Sequence, residues 1–209
     1  GTSSDVVTPS GDWSYLGLNA NGYKQYANGT AQLLINARVQ VVGLNIDQHT
    51  SQNPSFLQGY GLPDTLIGGS ADDTLDGGLN NDTLLGGDGN DVIYFDAEDT
   101  SVAGGSGYDT LQVKDSTADM TSLNNRFSGF EAIDLRGNDT NTVTIDAAAV
   151  TSLTRASNDV GATSSNTLTI SGDAGDRLVL KGTWTAVDGP VLTGGVAYQT
   201  YVNNGVTIK

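Results

Sequence analysis

The chain of 209 residues contains no cysteine, one histidine, one methionine, four prolines and only nine basic residues. Without cysteine there is no disulfide framework and no thiolate metal site, so any cross-link of an extracellular fold has to be ionic. The lone His49 lies in the polar run 47–50 and reads as a solvated loop residue. No second imidazole supports a triad, and neither an HExxH nor a GxSxG motif occurs, so the expectation is a non-enzyme. No apolar run approaches the ~20 residues that span a bilayer, which argues against membrane insertion. The opening GTSSDVV lacks the basic and apolar regions of a signal peptide and reads as the start of an excised fragment, expected to be a monomer. Basic residues form no stripe that would neutralise phosphates, so no nucleic acid or anionic membrane surface is expected as a direct partner.

What is present is acid, and it is concentrated. The formal net charge is −15, with 24 acidic residues in all. Twelve of them fall within residues 64–115 against the single base Lys114, which leaves −11 in that stretch and −4 everywhere else. The acidity therefore belongs to one segment and not to a generally acidic surface.

That segment is built of nine-residue units without a register slip: GYGLPDTLI (59–67), GGSADDTLD (68–76), GGLNNDTLL (77–85), GGDGNDVIY (86–94), FDAEDTSVA (95–103) and GGSGYDTLQ (104–112). The template is GGxGxDxUx, with U a large aliphatic residue. Position eight is Leu66, Leu75, Leu84, Ile93, Val102 and Leu111. Position six is Asp64, Asp73, Asp82, Asp91 and Asp109, with Thr100 the only departure, so the fifth unit is a modified repeat and not an insertion.

The glycines supply the positive φ angles that a six-residue reversing turn requires, and Asn80 meets the same need at position four. Ala71 fits that position less comfortably. The remaining three residues make a short strand with one inward aliphatic side chain. One such strand cannot bury its leucine alone, so units must coil and stack, two per turn, with residue n stacked against residue n+18. Asp73, Asp91 and Asp109 then form one column, and Asp64 and Asp82 another. Carboxylates stacked ~4.8 Å apart repel unless a cation lies between them. Oxygen-only ligands with irregular backbone carbonyls suit Ca²⁺ over Mg²⁺, zinc or copper.

These units resemble the repeats-in-toxin (RTX) nonapeptide, a calcium-binding parallel β-roll of bacterial proteins exported by type I secretion. In that family one turn gives its position-one and position-three carbonyls and its Asp. The turn one coil later gives its position-two and position-four carbonyls and its Asp. The resemblance implies one site from Gly68, Ser70 and Asp73 with Gly87, Gly89 and Asp91, and a second from Gly86, Asp88 and Asp91 with Gly105, Gly107 and Asp109. On the other side it implies a third from Gly59, Gly61 and Asp64 with Gly78, Asn80 and Asp82, weakened by Tyr60 and Leu62 in place of glycines. A fourth would pair Gly77, Leu79 and Asp82 with the degenerate turn, where Asp96, Glu98 or Asp99 stands in for the missing aspartate. About three to four ions are thus expected in the roll.

The expected architecture is all-β: residues 1–58 as a linker and β cap, 59–115 as the calcium-binding β-roll, and 116–209 as a β-rich cap with short helices. Residues 1–12 read as linker, and the turns Asn21-Gly22 and Asn28-Gly29 set off strands. Residues 31–41 alternate apolar and polar. Beyond the repeats, 116–125 reads as a short helix capped by Ser116 and Asp119, followed by rungs at 129–135, 141–145 and 166–180. A helix should begin after Asp146 as N-cap, and a hairpin about Asn204-Gly205 should close the chain. Asp173 and Asp176 read as a turn, and Trp184, Tyr198 and Tyr201 as cap core.

The tail phrases FSGFEAIDLRGNDTNTVTIDAAAVTSL, NTLTISGDAGDRLVLKGTW and YQTYVNNGVTIK resemble the C-terminal region of large type I secreted adhesins of Gram-negative bacteria. The resemblance implies an extracellular or cell-surface location, an uncleaved export signal, the type I secretion machinery as a partner, and an adhesion or biofilm role for the parent protein. The alternatives are the secretion domain of an RTX protease or lipase, and calcium-dependent glycan binding. An ice-binding array is disfavoured, because positions three and five do not repeat: Ser70/Asp72, Leu79/Asn81, Asp88/Asn90 and Ser106/Tyr108.

Overall fold

The computed structural model describes residues 6–7, 14–18, 23–28, 31–36, 40–41, 45–47, 52–59, 63–123, 125–137, 140–156, 165–193 and 196–209. His49 and Gly61 lie outside the described residues. Strands dominate. A single α-helix, Ala147–Leu153, occurs among the described residues, and none is long and apolar enough to cross a membrane.

The repeat units fold as their alternation requires. In Thr65–Ile67 and Thr74–Asp76 only the central leucine is buried, because neighbouring side chains on a strand face opposite ways. Successive units then pair in parallel with the strand two units on. One sheet runs through Asn45–Asp47, Thr65–Ile67, Thr83–Asp88, Ser101–Ser106 and Phe127–Ser128, aligning Ile46, Leu66, Leu84, Val102 and Phe127. The facing sheet runs through Phe56–Gln58, Thr74–Asp76, Val92–Phe95, Thr110–Val113, Ala132–Asp134 and Thr167–Ser171, aligning Leu57, Leu75, Ile93, Leu111, Ile133 and Ile170. Leu57, Leu66, Leu75, Leu84, Ile93 and Leu111 are fully buried and belong to one continuous core. The molecule is thus all-β with parallel sheets, in keeping with a parallel roll.

Parallel pairing continues past both ends of residues 59–115. At the start, Asn45–Asp47 and Phe56–Gln58 already stand in register with the repeats. Before them Ser14–Leu18, Tyr23–Asn28 and Ala31–Asn36 form an antiparallel sheet, from which Tyr26 joins the core. Val6–Val7, in the stretch read as linker, pairs in parallel with Gln40–Val41.

Past the repeats a third column of parallel strands appears, formed by Thr117–Asp119, Thr142–Ile145 and Arg177–Leu180. The expected helix at 116–125 is therefore mostly absent. Ala118 is drawn into register with Val143, and only Met120–Ser122 turns, as a 3-10 segment whose N-cap Asp119 accepts the Thr121 amide. Pairing and burial of Ala118 and Met120 override the local capping preference. The helix Ala147–Leu153 starts where expected. Asp146 accepts the Ala149 amide at 2.8 Å, and Ala149, Val150 and Leu153 turn inward. Val206–Ile208 then pairs in parallel with Thr167–Ser171 and antiparallel with Val196–Asn203, through a turn with Asn204 and Gly205 at φ 49° and 85°.

Ile93 is fully buried at the centre of its column. Ile93→Ala is expected to lower stability by about 2–5 kcal/mol, the range for emptying a packed aliphatic site. Urea unfolding in calcium checks this, and a loss well below that range would mean that the column is not the core.

Candidate metal centre

The turns between the strands carry the acidic residues. Gly87 and Gly89 adopt φ of 111° and 117°, and Gly105 and Gly107 of 122° and 142°, so positions two and four wind left-handed as the template requires. Gly78 and Asn80 do the same at 98° and 81°. In the turn 68–73 neither Gly69 nor Ala71 takes a positive φ, so Ala71 escapes the expected strain. Where position one is glycine, the turns are packed so closely that a side chain is excluded there. A Cβ on Gly86 would strike both the Asp91 carboxylate and the Gly104 carbonyl. Carbonyls of the turn above likewise lie against the glycines below, Gly69 and Ala71 over Gly87 and Gly89, and Gly87 and Gly89 over Gly105 and Gly107.

The aspartates form two ladders. In the first, the Ser55 amide donates to Asp73 Oδ1 at 2.7 Å, Asp73 to Asp91 Oδ1 at 2.7 Å, and Asp91 to Asp109 Oδ1 at 2.8 Å. It ends on a residue the periodicity did not flag: the Asp109 amide donates to Glu131 Oε2 at 2.9 Å. In the second ladder Asp64 donates to Asp82 Oδ1 at 2.8 Å. Asp73, Asp82, Asp91 and Asp109 thus each hold the amide of the residue one coil earlier. Asp72 and Asn90 make a lesser ladder on the outside, accepting from Asn90 and Tyr108 amides at 2.7 and 2.9 Å.

The four expected ligand sets are brought together to different degrees. The sets of Asp73 with Asp91 and of Asp91 with Asp109 lie on directly stacked turns, and Ser70 and Asp88 point their side chains outward, leaving only their carbonyls for a ligand role. In the third set Gly59, Asp64, Gly78, Asn80 and Asp82 are placed and Gly61 is outside the described residues. In the fourth, Gly77 packs against the Asp82 carboxylate and Leu79 is 68% exposed, again leaving a carbonyl. Of the three stand-ins for the missing aspartate only Asp99 is buried, and it accepts the Asp82 amide at 3.2 Å, while Asp96 instead caps its own turn by accepting the Glu98 amide at 2.9 Å.

Burial decides the electrostatics. Asp82, Asp91 and Asp99 are 0%, 0% and 1% exposed, and one oxygen of each, Oδ2, is buried without a hydrogen-bond partner. Desolvation pushes Asp82 up to about 6, Asp91 to about 7 and Asp99 to about 8; repulsion from Asp64 on Asp82, Asp73 on Asp91 and Asp82 on Asp99 adds to it. Such oxygens call for a cation. Among the described residues no three His, Asp or Glu side chains converge, so the other ligands must be backbone carbonyls. Two carboxylates and several carbonyls form a hard, all-oxygen donor set that fits Ca²⁺ and offers nothing to zinc or copper. Asp173 and Asp176, by contrast, are a turn, as expected: they accept the amides of Gly137, Asn141 and Asp173.

A family model for the RTX calcium-binding nonapeptide repeat, in four copies, matches residues 58–94. No curated protein and no solved structure matches the chain. The match places these residues among calcium-binding RTX repeats. It stops just short of the degenerate turn.

The raised acids set a pH dependence for the metal-free chain. Their folded values lie above the ordinary 3.8, so the stabilisation from holding protons is complete below that value and lost as the pH rises through about 6 to 8. In chelator the folded fraction is expected to fall between about pH 5 and about pH 8, and to hold up over the same range in excess calcium, which replaces the protons. Circular dichroism checks this, and no pH effect in chelator would contradict the burial of these carboxylates.

Proposed function

We propose that this chain is a calcium-triggered folding and export module from the C-terminal part of a large, type I secreted bacterial RTX adhesin, without catalytic activity of its own. The observation that carries the reading is the set of buried, unpartnered carboxylate oxygens on Asp82 and Asp91, stacked between turns whose carbonyls face the next coil. Ions would be held by Gly68, Ser70 and Asp73 with Gly87, Gly89 and Asp91, and by Gly86, Asp88 and Asp91 with Gly105, Gly107 and Asp109. A third would be held by Gly59 and Asp64 with Gly78, Asn80 and Asp82. Calcium supplies the positive charge that lets these carboxylates stack. The protein supplies the spacing, through its glycines and amide ladders.

The switch follows from composition. Without cations, residues 64–115 carry a net charge of −11 and one inward aliphatic residue per unit, too little apolar area to offset chain entropy. In the producing cell, where free calcium is scarce, the segment stays unfolded and can be threaded through the type I machinery. Outside, modules of this kind bind calcium at ~10⁻⁴ to 10⁻³ M, and tenfold excess over such a Kd stabilises by ~1.4 kcal/mol per site. About three to four sites then contribute ~4–6 kcal/mol, comparable with the stability of a whole domain. The flanking segments serve as caps of the solenoid, covering strand edges that invite pairing with other chains. The resemblance of the tail phrases supports an adhesin over a secreted protease or lipase as the parent, whose work at the cell surface would be adhesion and biofilm formation.

Far-UV circular dichroism and thermal melts, in chelator and across calcium with magnesium as control, test the switch. A cooperative, calcium-selective gain of β signal is expected. A chain equally folded and stable in chelator at neutral pH would refute it.

A further inference from the structure

The fifth unit, 95–103, has threonine where the template has aspartate, and lies beyond the residues matched by the family model. Its turn has Phe95 at position one and no residue at positive φ, yet it presents a carboxylate to the coil before it as the others do, one residue early. Asp96 draws it tight, accepting the Asp99 amide through its carbonyl at 3.2 Å and the Glu98 amide through its carboxylate at 2.9 Å. Asp99 arrives beneath Asp82 at a separation of 17 residues instead of 18, and its Oδ1 takes the Asp82 amide as Asp82 Oδ1 takes that of Asp64. The surplus residue is Thr100, which is exposed; both the Thr100 and the Ser101 amides bond to the single Asp82 carbonyl, at 2.8 and 3.4 Å. Two residues thus oppose one, a bulge that restores the register before the strand Ser101–Ser106.

The second oxygen of Asp99 is buried with no hydrogen-bond partner, as is that of Asp82 directly above it. Below the turn the opposite holds. The Arg126 guanidinium donates to the carbonyls of Asp99 and, at 3.0 Å, of Ala97, and its Nε is tied to Leu123 O at 3.2 Å. A fixed cation is thus already bound to two carbonyls of this turn. We infer that the degenerate turn is a calcium site, held by Asp82 and Asp99 with turn carbonyls, and that it is the last on its side because Arg126 takes the place of the next ion. This rests on the calcium-dependent roll proposed above and assigns a site to the unit that lacks the template aspartate.

Isothermal titration of the whole chain with calcium tests it, comparing the unmodified protein with Asp99→Asn and Thr100→Val. Asparagine keeps an oxygen for the Asp82 amide, so the fold is expected to persist. Asp99→Asn is expected to bind one ion fewer and Thr100→Val to bind the full number. Equal stoichiometry and affinity for Asp99→Asn and the unmodified chain would overturn the site while leaving the other repeats intact. No calcium uptake by the unmodified chain would overturn the wider reading as well. Long-wavelength anomalous diffraction from calcium-grown crystals of the unmodified protein decides independently of any variant: a peak between turns 77–82 and 95–99 supports the site, and its absence beside peaks at the other turns refutes it.

Discussion

The fold depends on carboxylates placed directly above one another. Two charges ~4.8 Å apart at an effective dielectric constant of ~20 repel by about 3.5 kcal/mol. A nine-residue unit offers one buried leucine or isoleucine in return, worth about 1.5–3 kcal/mol. Repulsion therefore matches or exceeds the apolar gain of each unit, and the amide donated to each carboxylate offsets only part of the cost of burying it: desolvation first, with the neighbouring carboxylate adding, still raises Asp82 to about 6 and Asp91 to about 7. The stack is possible because something positive, proton or metal, enters between the turns. Other features serve this placement: glycine at position one in five of the six units, left-handed residues at two and four in the turns at 77, 86 and 104, and a carboxylate that holds an amide one coil away.

Beyond residue 115 the same parallel stacking is kept by different means. Phe127, Phe130, Ile133, Val143, Ile145 and the helix residues Val150 and Leu153 are all essentially buried, and the Phe95 and Phe127 rings pack with centroids 5.6 Å apart. The hand-over is marked in both ladders. One ends on Glu131, a longer acid at a spacing of 22 residues, and the other at Arg126, whose charge is part of the chain. Stacked carboxylates thus give way to larger apolar side chains within one coil, and the charge distribution of the sequence, −11 in the repeats and −4 elsewhere, reflects that division.

Most of the repeat region was legible because its constraints are strictly periodic. A Leu at position eight must face inward and an Asp at position six must face the next turn, so stacking at 18 residues followed from spacing alone. The helix after Asp146 and the hairpin at Asn204-Gly205 were legible because capping and tight-turn residues act locally. What escaped was non-periodic or long-range. Asp99 was one of three candidates, and choosing it required knowing that a bulge at Thr100 shifts the phase. Glu131 sits at 22 residues from Asp109, where no period points. The strand Thr117–Asp119 was hidden beneath a capping signal, because its partner Thr142–Ile145 lies outside any local window.

Sharing of ligands has a consequence for how such a roll assembles. On the proposed ligand sets Asp91 serves the ions above and below its turn, and Asp82 does the same in the other column. An ion bound on one side of such a residue fixes the carboxylate and its turn for the ion on the other, so part of the ordering entropy is lost once for two binding events. Binding free energies of neighbouring sites are then coupled rather than independent. Because the carboxylate ladder also runs through the backbone amides, ordering one turn orders the next. A chain of weak sites linked in this way responds to calcium more steeply than any one site would, which is what a segment must do if it is to be unfolded on one side of an envelope and folded on the other.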